Sequence, residues 1–173
     1  MCPKEAFFYA RLSSTTTLNT FSIIKFDKIM INNGNHYHPT NGVFVAPISG
    51  VYMFAWNTLT LDSHFLFTEL RVEKEVKGTV ASGGASSQYK PGSTSLLCHV
   101  RKGDHVWVQT SGVSSKNYMY HWNKSTSFMG FFLQKDQFCR LKYTHKNYPL
   151  TSHRTHLFDI ESLNVVCIEG IYI

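Results

Sequence analysis

The 173-residue chain contains no run of 18 apolar residues, so no segment of it has the make-up of a membrane-spanning helix. It has no GxSxG, HExxH, P-loop or CxxC motif, the short signals of hydrolase, metallopeptidase, nucleotide-binding and dithiol chemistry, and an enzyme is not expected. No Gly-X-Y repeat is present, so the chain carries no collagen-like stalk. Like charges never gather into a block of five or six. The net charge of +6 is mild and spread out, and no nucleic-acid partner is expected. Convincing helical periodicity is absent up to residue 134. Four cysteines (Cys2, Cys98, Cys139 and Cys167) are too few for a dense disulfide framework. Cys98 lies in a strand-like run and reads as a small buried hydrophobe. Cys139 and Cys167 are able to pair, with three connectivities open if all four oxidise.

What the chain has is β-forming material. Hydrophobic residues make up 43% of it and aromatics 14%, enough for a core, and the aromatic share favours strands. Strands are predicted near 6–12, 22–25, 29–32, 43–46, 51–61, 65–76, 94–101, 105–111 and 126–134. Turn signals stand between them: Asn32-Asn33-Gly34, the 47–50 stretch, Ser82-Gly83-Gly84, Pro91-Gly92 and Lys102-Gly103-Asp104. Residues 42–54, GVFVAPISGVYMF, are the clearest case. Pro47 ends one strand because it has no N–H for a ladder, and Gly50 permits a sharp re-entry. In the next strand Tyr52 and Phe54 share one face, with Val51, Met53 and Ala55 on the other. The pattern is that of an all-β sandwich.

Those residues also carry a family likeness. Gly42-x-Phe44-x-Ala46-Pro47-x-x-Gly50-x-Tyr52-x-Phe54 resembles the signature of the C1q globular head, a relative of the tumour-necrosis-factor fold. Upstream, Asn32-Asn33-Gly34-Asn35-His36-Tyr37 is similar to the family's Asn-x-Gly-x-x-Tyr element. Downstream, Val100-Arg101-Lys102-Gly103-Asp104-His105-Val106-Trp107-Val108 resembles its turn into a late strand. Ser127-Phe128-Met129-Gly130-Phe131-Phe132-Leu133 resembles its closing strand, Ser-x-Phe-x-Gly-x-Leu-Leu, with Phe132 where leucine is usual. Ala6-Phe7-Phe8-Tyr9-Ala10-Arg11 fits the first strand. The resemblance implies a jelly-roll β-sandwich of two antiparallel sheets over residues 5–134, in a short, head-only member of the family. Residues 135–173 match nothing in that pattern. They are expected to form an atypical, partly disordered extension, its 135–156 part polar and basic with three histidines. Met1-Cys2-Pro3-Lys4 leads straight into the first strand without a leader of signal-peptide type, so an extracellular location is expected from the resemblance alone.

C1q-like heads assemble as trimers, and the resemblance implies a homotrimer here. Phe44, Tyr52 and Phe54 match the family's core positions, so the resemblance implies that they are buried and that Met53 and Ala55 face out, and Phe128 and Phe132 are expected to join these two in the contact. For ligands, Tyr118, Tyr120 and Trp122 alternate and share one face of an extended segment, with His121 beside them. Flat aromatic faces of this kind suit sugar rings or apolar protein anchors; the plainer reading packs them under the loop before the last strand. Asn123-Lys124-Ser125 is a glycosylation sequon. His36-x-His38 is the nearest approach to a zinc pair, but no further ligand accompanies it, and no metal site is assigned. Some C1q heads bind calcium through carboxylates near the trimer apex, which leaves calcium open for Asp27, Asp62 and Asp104, although Asp104 fits a turn role after Gly103. No other cofactor is expected.

The expectation is therefore a secreted binding module acting in innate immune pattern recognition, lectin-like, on extracellular glycans or protein ligands, without inserting in a membrane. Two other uses of the same fold stand beside it: a receptor-binding ligand of cytokine or synaptic-organiser type, and a structural protein of an extracellular matrix.

Overall fold

The computed structural model describes residues 6–61, 64–83, 89–113, 117–121 and 125–136. Among them run twelve strands: β1 Phe7–Arg11, β2 Thr16–Leu18, β3 Lys28–Asn32, β4 Tyr37–His38, β5 Val43–Val45, β6 Gly50–Thr60, β7 Phe65–Val72, β8 Glu75–Gly83, β9 Lys90–Val100, β10 His105–Thr110, β11 Asn117–Met119 and β12 Ser127–Lys135. The first sheet has the order β3-β1-β12-β6-β9 and the second β4-β5-β10-β7-β8, while β11 and β2 form a small ribbon. Every pairing is antiparallel. The expected jelly-roll sandwich of two sheets is what the residues form. No helix among them is long and apolar enough to cross a membrane. The chain divides after Asp136, and the extension expected beyond that point lies outside the described residues.

The core is built from rings. Phe8, Phe26, Tyr37, Phe44, Tyr52, Phe54, Trp56 and Phe128 are all fully buried. Phe8 stacks on Tyr37 at 4.6 Å and on Phe44 at 5.1 Å, and meets Phe128 edge-on at 4.9 Å. Such offset and edge-to-face pairs add to the stabilisation from burial itself. The Trp56 indole N–H, on β6, donates to Thr68 Oγ1, on β7, at 2.9 Å, so a buried hydrogen bond joins the two sheets.

The family-like elements each have a physical account. Asn32 brackets the 3-10 turn Asn33–Asn35: its Nδ2 donates to the Tyr37 carbonyl at 2.8 Å, and its Oδ1 accepts from the Tyr37 N–H at 3.2 Å. Tyr37 is thereby delivered to the core, where its hydroxyl donates to the Phe26 carbonyl. Gly42 has φ +78°, and a Cβ there would stand 2.5 Å from the Ile24 carbonyl oxygen, so only glycine fits.

Four local expectations change. Residues 65–76 are not one strand but the hairpin β7–β8, turning at Glu73 with φ +52°. Residues 22–25 make a single bridge, Ile23 to Gln109, and no strand. Pro91 and Gly92 lie inside β9, an edge strand that tolerates a residue without an N–H. Strands β2, β4 and β11 come in addition.

Candidate functional site

Two surfaces stand out. On the first sheet, alternation along β6 buries Tyr52, Phe54 and Trp56 and turns Met53 and Ala55 outward. Cross-strand register extends this into rows. Phe7, Phe131, Met53 and Leu97 stand side by side on β1, β12, β6 and β9; Ile31, Tyr9, Met129 and Ala55 form the next row. Ile31 is 48% exposed and Leu97 63%. A groove of about 420 Å³ runs among Phe7, Tyr9, Ile31, Met129 and Phe131. The apolar field stops at a polar row, where the Asn57 amide donates to Ser127 Oγ at 3.1 Å and accepts from Ser93 Oγ at 2.5 Å. A solvated sheet face normally reads polar; this one is apolar through its centre.

Phe128 and Phe132, expected in that outward row, are not in it. Phe128 lies opposite Trp56 and Phe132 opposite Tyr52, positions that point into the sandwich. Phe128 is fully buried, and Phe132 packs edge-on against Tyr52 at 5.2 Å. Met129 and Phe131 take the outward places. β12 is apolar on both faces, so its composition does not say which face turns in, and a shift of one residue reverses every side chain.

The second surface is a ladder of rings. Tyr118 and Tyr120 stand 6.4 Å apart at 16°. His64 lies on Tyr118 at 4.7 Å, and Tyr89 on Tyr120 at 5.9 Å. Their base is fixed. Tyr118 pairs with Thr17 in the β11–β2 ribbon, and the buried Asn117 accepts from the Phe67 N–H at 3.3 Å. The Tyr120 N–H donates to the Leu59 carbonyl at 2.7 Å, while Thr126 Oγ1 donates to the Tyr120 carbonyl at 2.6 Å. His121 is exposed and shares a 3.0 Å hydrogen bond between its Nδ1 and Thr15 Oγ1. Trp122 and Asn123 lie outside the described residues. His64 and Tyr89 carried no local sign of membership: the fold brings them from the starts of β7 and β9.

Two of the carboxylates considered for calcium have hydrogen-bond partners of their own. Asp104 Oδ2 accepts from the Arg101 N–H at 2.9 Å in a turn. Asp27 accepts from the backbone and hydroxyl of Ser13. Partial burial pushes the Asp27 carboxyl up, but these hydrogen bonds outweigh it and hold the group below its ordinary 3.8. Asp62 is outside the described residues. Among those residues no three His, Cys, Asp or Glu side chains gather, and His36 turns its ring edge-on to Phe44 at 6.5 Å. Cys98 is half-buried against the core, and burial pushes its thiol up to about 11, so it stays a protonated packing residue.

Comparison with known proteins gives this geometry its family. The globular domain of zebrafish complement 1qA protein matches with a TM-score of 0.64 at 16% identity, over 76% of this chain and 99% of that one, a likeness of fold. The chain is 30% identical over 116 residues to mouse complement C1q tumor necrosis factor-related protein 2, covering 66% of this chain and 38% of the relative. It is 32% identical over 116 residues to heavy metal-binding protein HIP of Mytilus edulis, covering 67% and 54%. The chain thus spans less than two thirds of either relative. The family profile of the C1q domain matches residues 6–133, so the chain belongs to the C1q domain family, whose members are ligand-binding modules and not enzymes.

Proposed function

We propose that this chain is a secreted recognition head that assembles as a homotrimer through the outer face of its first sheet. It binds extracellular ligands in innate immune pattern recognition, glycans of microbes or cell surfaces first among them. The observation that carries the reading is the pair of apolar rows around Met53, Phe131 and Ala55. An apolar field of this extent on a lone domain is an aggregation liability, and a closed symmetric assembly removes it. Three heads in one particle turn a weak single-site affinity into avidity, which suits repetitive surfaces. The C1q-related relatives support the coarser part of this reading, a ligand-binding head. Metal binding is in the name of the mussel relative and is said of that protein.

Light scattering on purified protein tests assembly, with a trimer mass expected at micromolar concentration. An array of microbial polysaccharides tests recognition. A monomer that binds no polysaccharide would defeat the proposal.

One observation favours a receptor-binding role instead. Phe21 has φ +54°, a costly conformation for a bulky residue, and is 64% exposed, its ring lying against Gly112. Its backbone is held in place, its N–H donating to the Thr110 carbonyl at 3.1 Å. An aromatic presented in this way fits a pocket on a protein. Phe21→Ser, tested on whole cells with and without enzymatic removal of glycans, separates the two roles.

A further inference from the structure

We infer that the ring ladder of His64, Tyr118, Tyr120 and Tyr89 is the glycan subsite of this head, and that it takes a neutral saccharide. The inference rests on the recognition role proposed above and deepens it by naming the site and the sugar class.

Consecutive rings are 4.7, 6.4 and 5.9 Å apart and inclined by 30°, 16° and 21°, so the four are close to parallel. None is buried: Tyr89 is 44% exposed, Tyr118 and Tyr120 are half-buried, and His64 is exposed. A sugar ring has an apolar C–H face and hydroxyls around its edge. The ring faces and edges that the ladder leaves uncovered match the C–H side, and the phenols at the tyrosine tips match the hydroxyls. His121, 6.1 Å from Tyr120 and set at 67° to it, adds an imidazole at the ladder's flank.

Two features distinguish this from incidental surface aromatics. The first is rigidity. The central tyrosines stand on a backbone tied to β2, β6 and β7, and the His64 Nδ1–H donates to the Leu61 carbonyl at 2.9 Å. A site fixed before binding loses little freedom on binding. The second is charge. None of the three tyrosines carries a formal charge, so the stacked rings recognise a sugar by its C–H face and hydroxyls and not by a carboxylate or sulfate.

The experiment titrates intact protein with mannan and with soluble β-glucan, both neutral, and with heparin as the acidic comparison. Wild type is set against Tyr118→Ala, Tyr120→Ala, the double variant, and Tyr118→Phe. The expected result is binding of a neutral polysaccharide, weakened about five- to tenfold for each ring removed and largely kept by Tyr118→Phe. The melting temperature should hold, because both side chains are half-exposed. If wild type binds the neutral glycan and the double variant binds it equally well, the subsite is elsewhere while the recognition role stands. Binding of heparin alone overturns the neutral class. Binding of a protein receptor with no polysaccharide overturns both the subsite and the role it rests on.

Discussion

Gly130 on β12 lies directly opposite Phe54 on β6, and a single methyl group on Gly130 would stand 2.6 Å from the Phe54 ring and 2.7 Å from that of Phe8. The glycine is therefore part of the core's shape: two aromatic rings close over the space that a side chain would fill. Gly130→Ala is expected to cost about 1–3 kcal/mol through overpacking, and Phe54→Ala about 3–5 kcal/mol through the cavity it leaves. The two should not add. A smaller ring neighbour makes room for the methyl, so Gly130→Ala in a Phe54→Leu background should cost less than in wild type. Urea unfolding midpoints of the four proteins check this, and simple additivity would contradict the packing described.

Two phenylalanines of β12, three positions apart, should behave in opposite ways. Phe128 is fully buried among Phe8, Phe26 and Tyr37, so Phe128→Ala should cost about 3–5 kcal/mol and leave little folded protein. Phe131 points outward beside Met53, so Phe131→Asp should leave the fold intact and prevent association, as should Ala55→Asp. Each puts a charge into an apolar contact that offers it no partner. The check is light scattering beside circular dichroism. A Phe131→Asp protein that still runs as a trimer would place the contact on another face.

How much of this was legible beforehand divides along physical lines. Periodicity and punctuation were enough to place β5 and β6, where Pro47 and Gly50 mark the ends, and the family resemblance chose the inward face, with Phe44, Tyr52 and Phe54 buried as it implies. The Asn32 to Tyr37 element was legible because one amide does a defined job there. The β7–β8 turn was not, because Glu73 and Lys74 form it without glycine, proline or asparagine; Glu73 is held at φ +52° by the hairpin and by its bonds to His105. The outward face was half legible. Met53 and Ala55 followed from alternation on a strand whose inner face was already identified. Phe128 and Phe132 needed the register to Trp56 and Tyr52, which no single strand contains. Tyr118 and Tyr120 were readable as a pair, whereas His64 and Tyr89 join them only through long-range folding.

The Glu73–His105 contact makes acid behaviour testable. The His105 backbone N–H donates to Glu73 Oε1 at 2.7 Å and its ring Nδ1 approaches the same oxygen at 2.8 Å, which holds the carboxyl below its ordinary 4.5. A carboxylate depressed in this way adds stability above its unfolded value and loses it as pH falls through the folded one. The advantage of wild type over Glu73→Gln should therefore be full at pH 6 and shrink below about 4.5. It should be small throughout, because the pair is exposed. Denaturant midpoints at pH 6, 4.5 and 3 measure it, and an advantage that grows on acidification would refute the assignment.

Two buried threonines should respond oppositely to the same substitution. Thr68 accepts from the Trp56 indole N–H at 2.9 Å across the sandwich, and both residues are essentially inaccessible. Thr68→Val keeps the shape but strands that N–H in the core, an expected loss of about 1–3 kcal/mol. Trp56→Phe alone removes the donor and much ring volume. In that background Thr68→Val should cost far less, because no N–H is left to strand. Thr60 is also fully buried, yet its hydroxyl has no hydrogen-bond partner among the described residues. Thr60→Val replaces an unsatisfied hydroxyl with a methyl of similar size, so its effect should run from neutral to a gain of about 1 kcal/mol. Melting curves of the two valine variants decide the matter. If both lose stability equally, volume and not hydrogen bonding governs these positions, and the Trp56–Thr68 bond does not hold the sheets together.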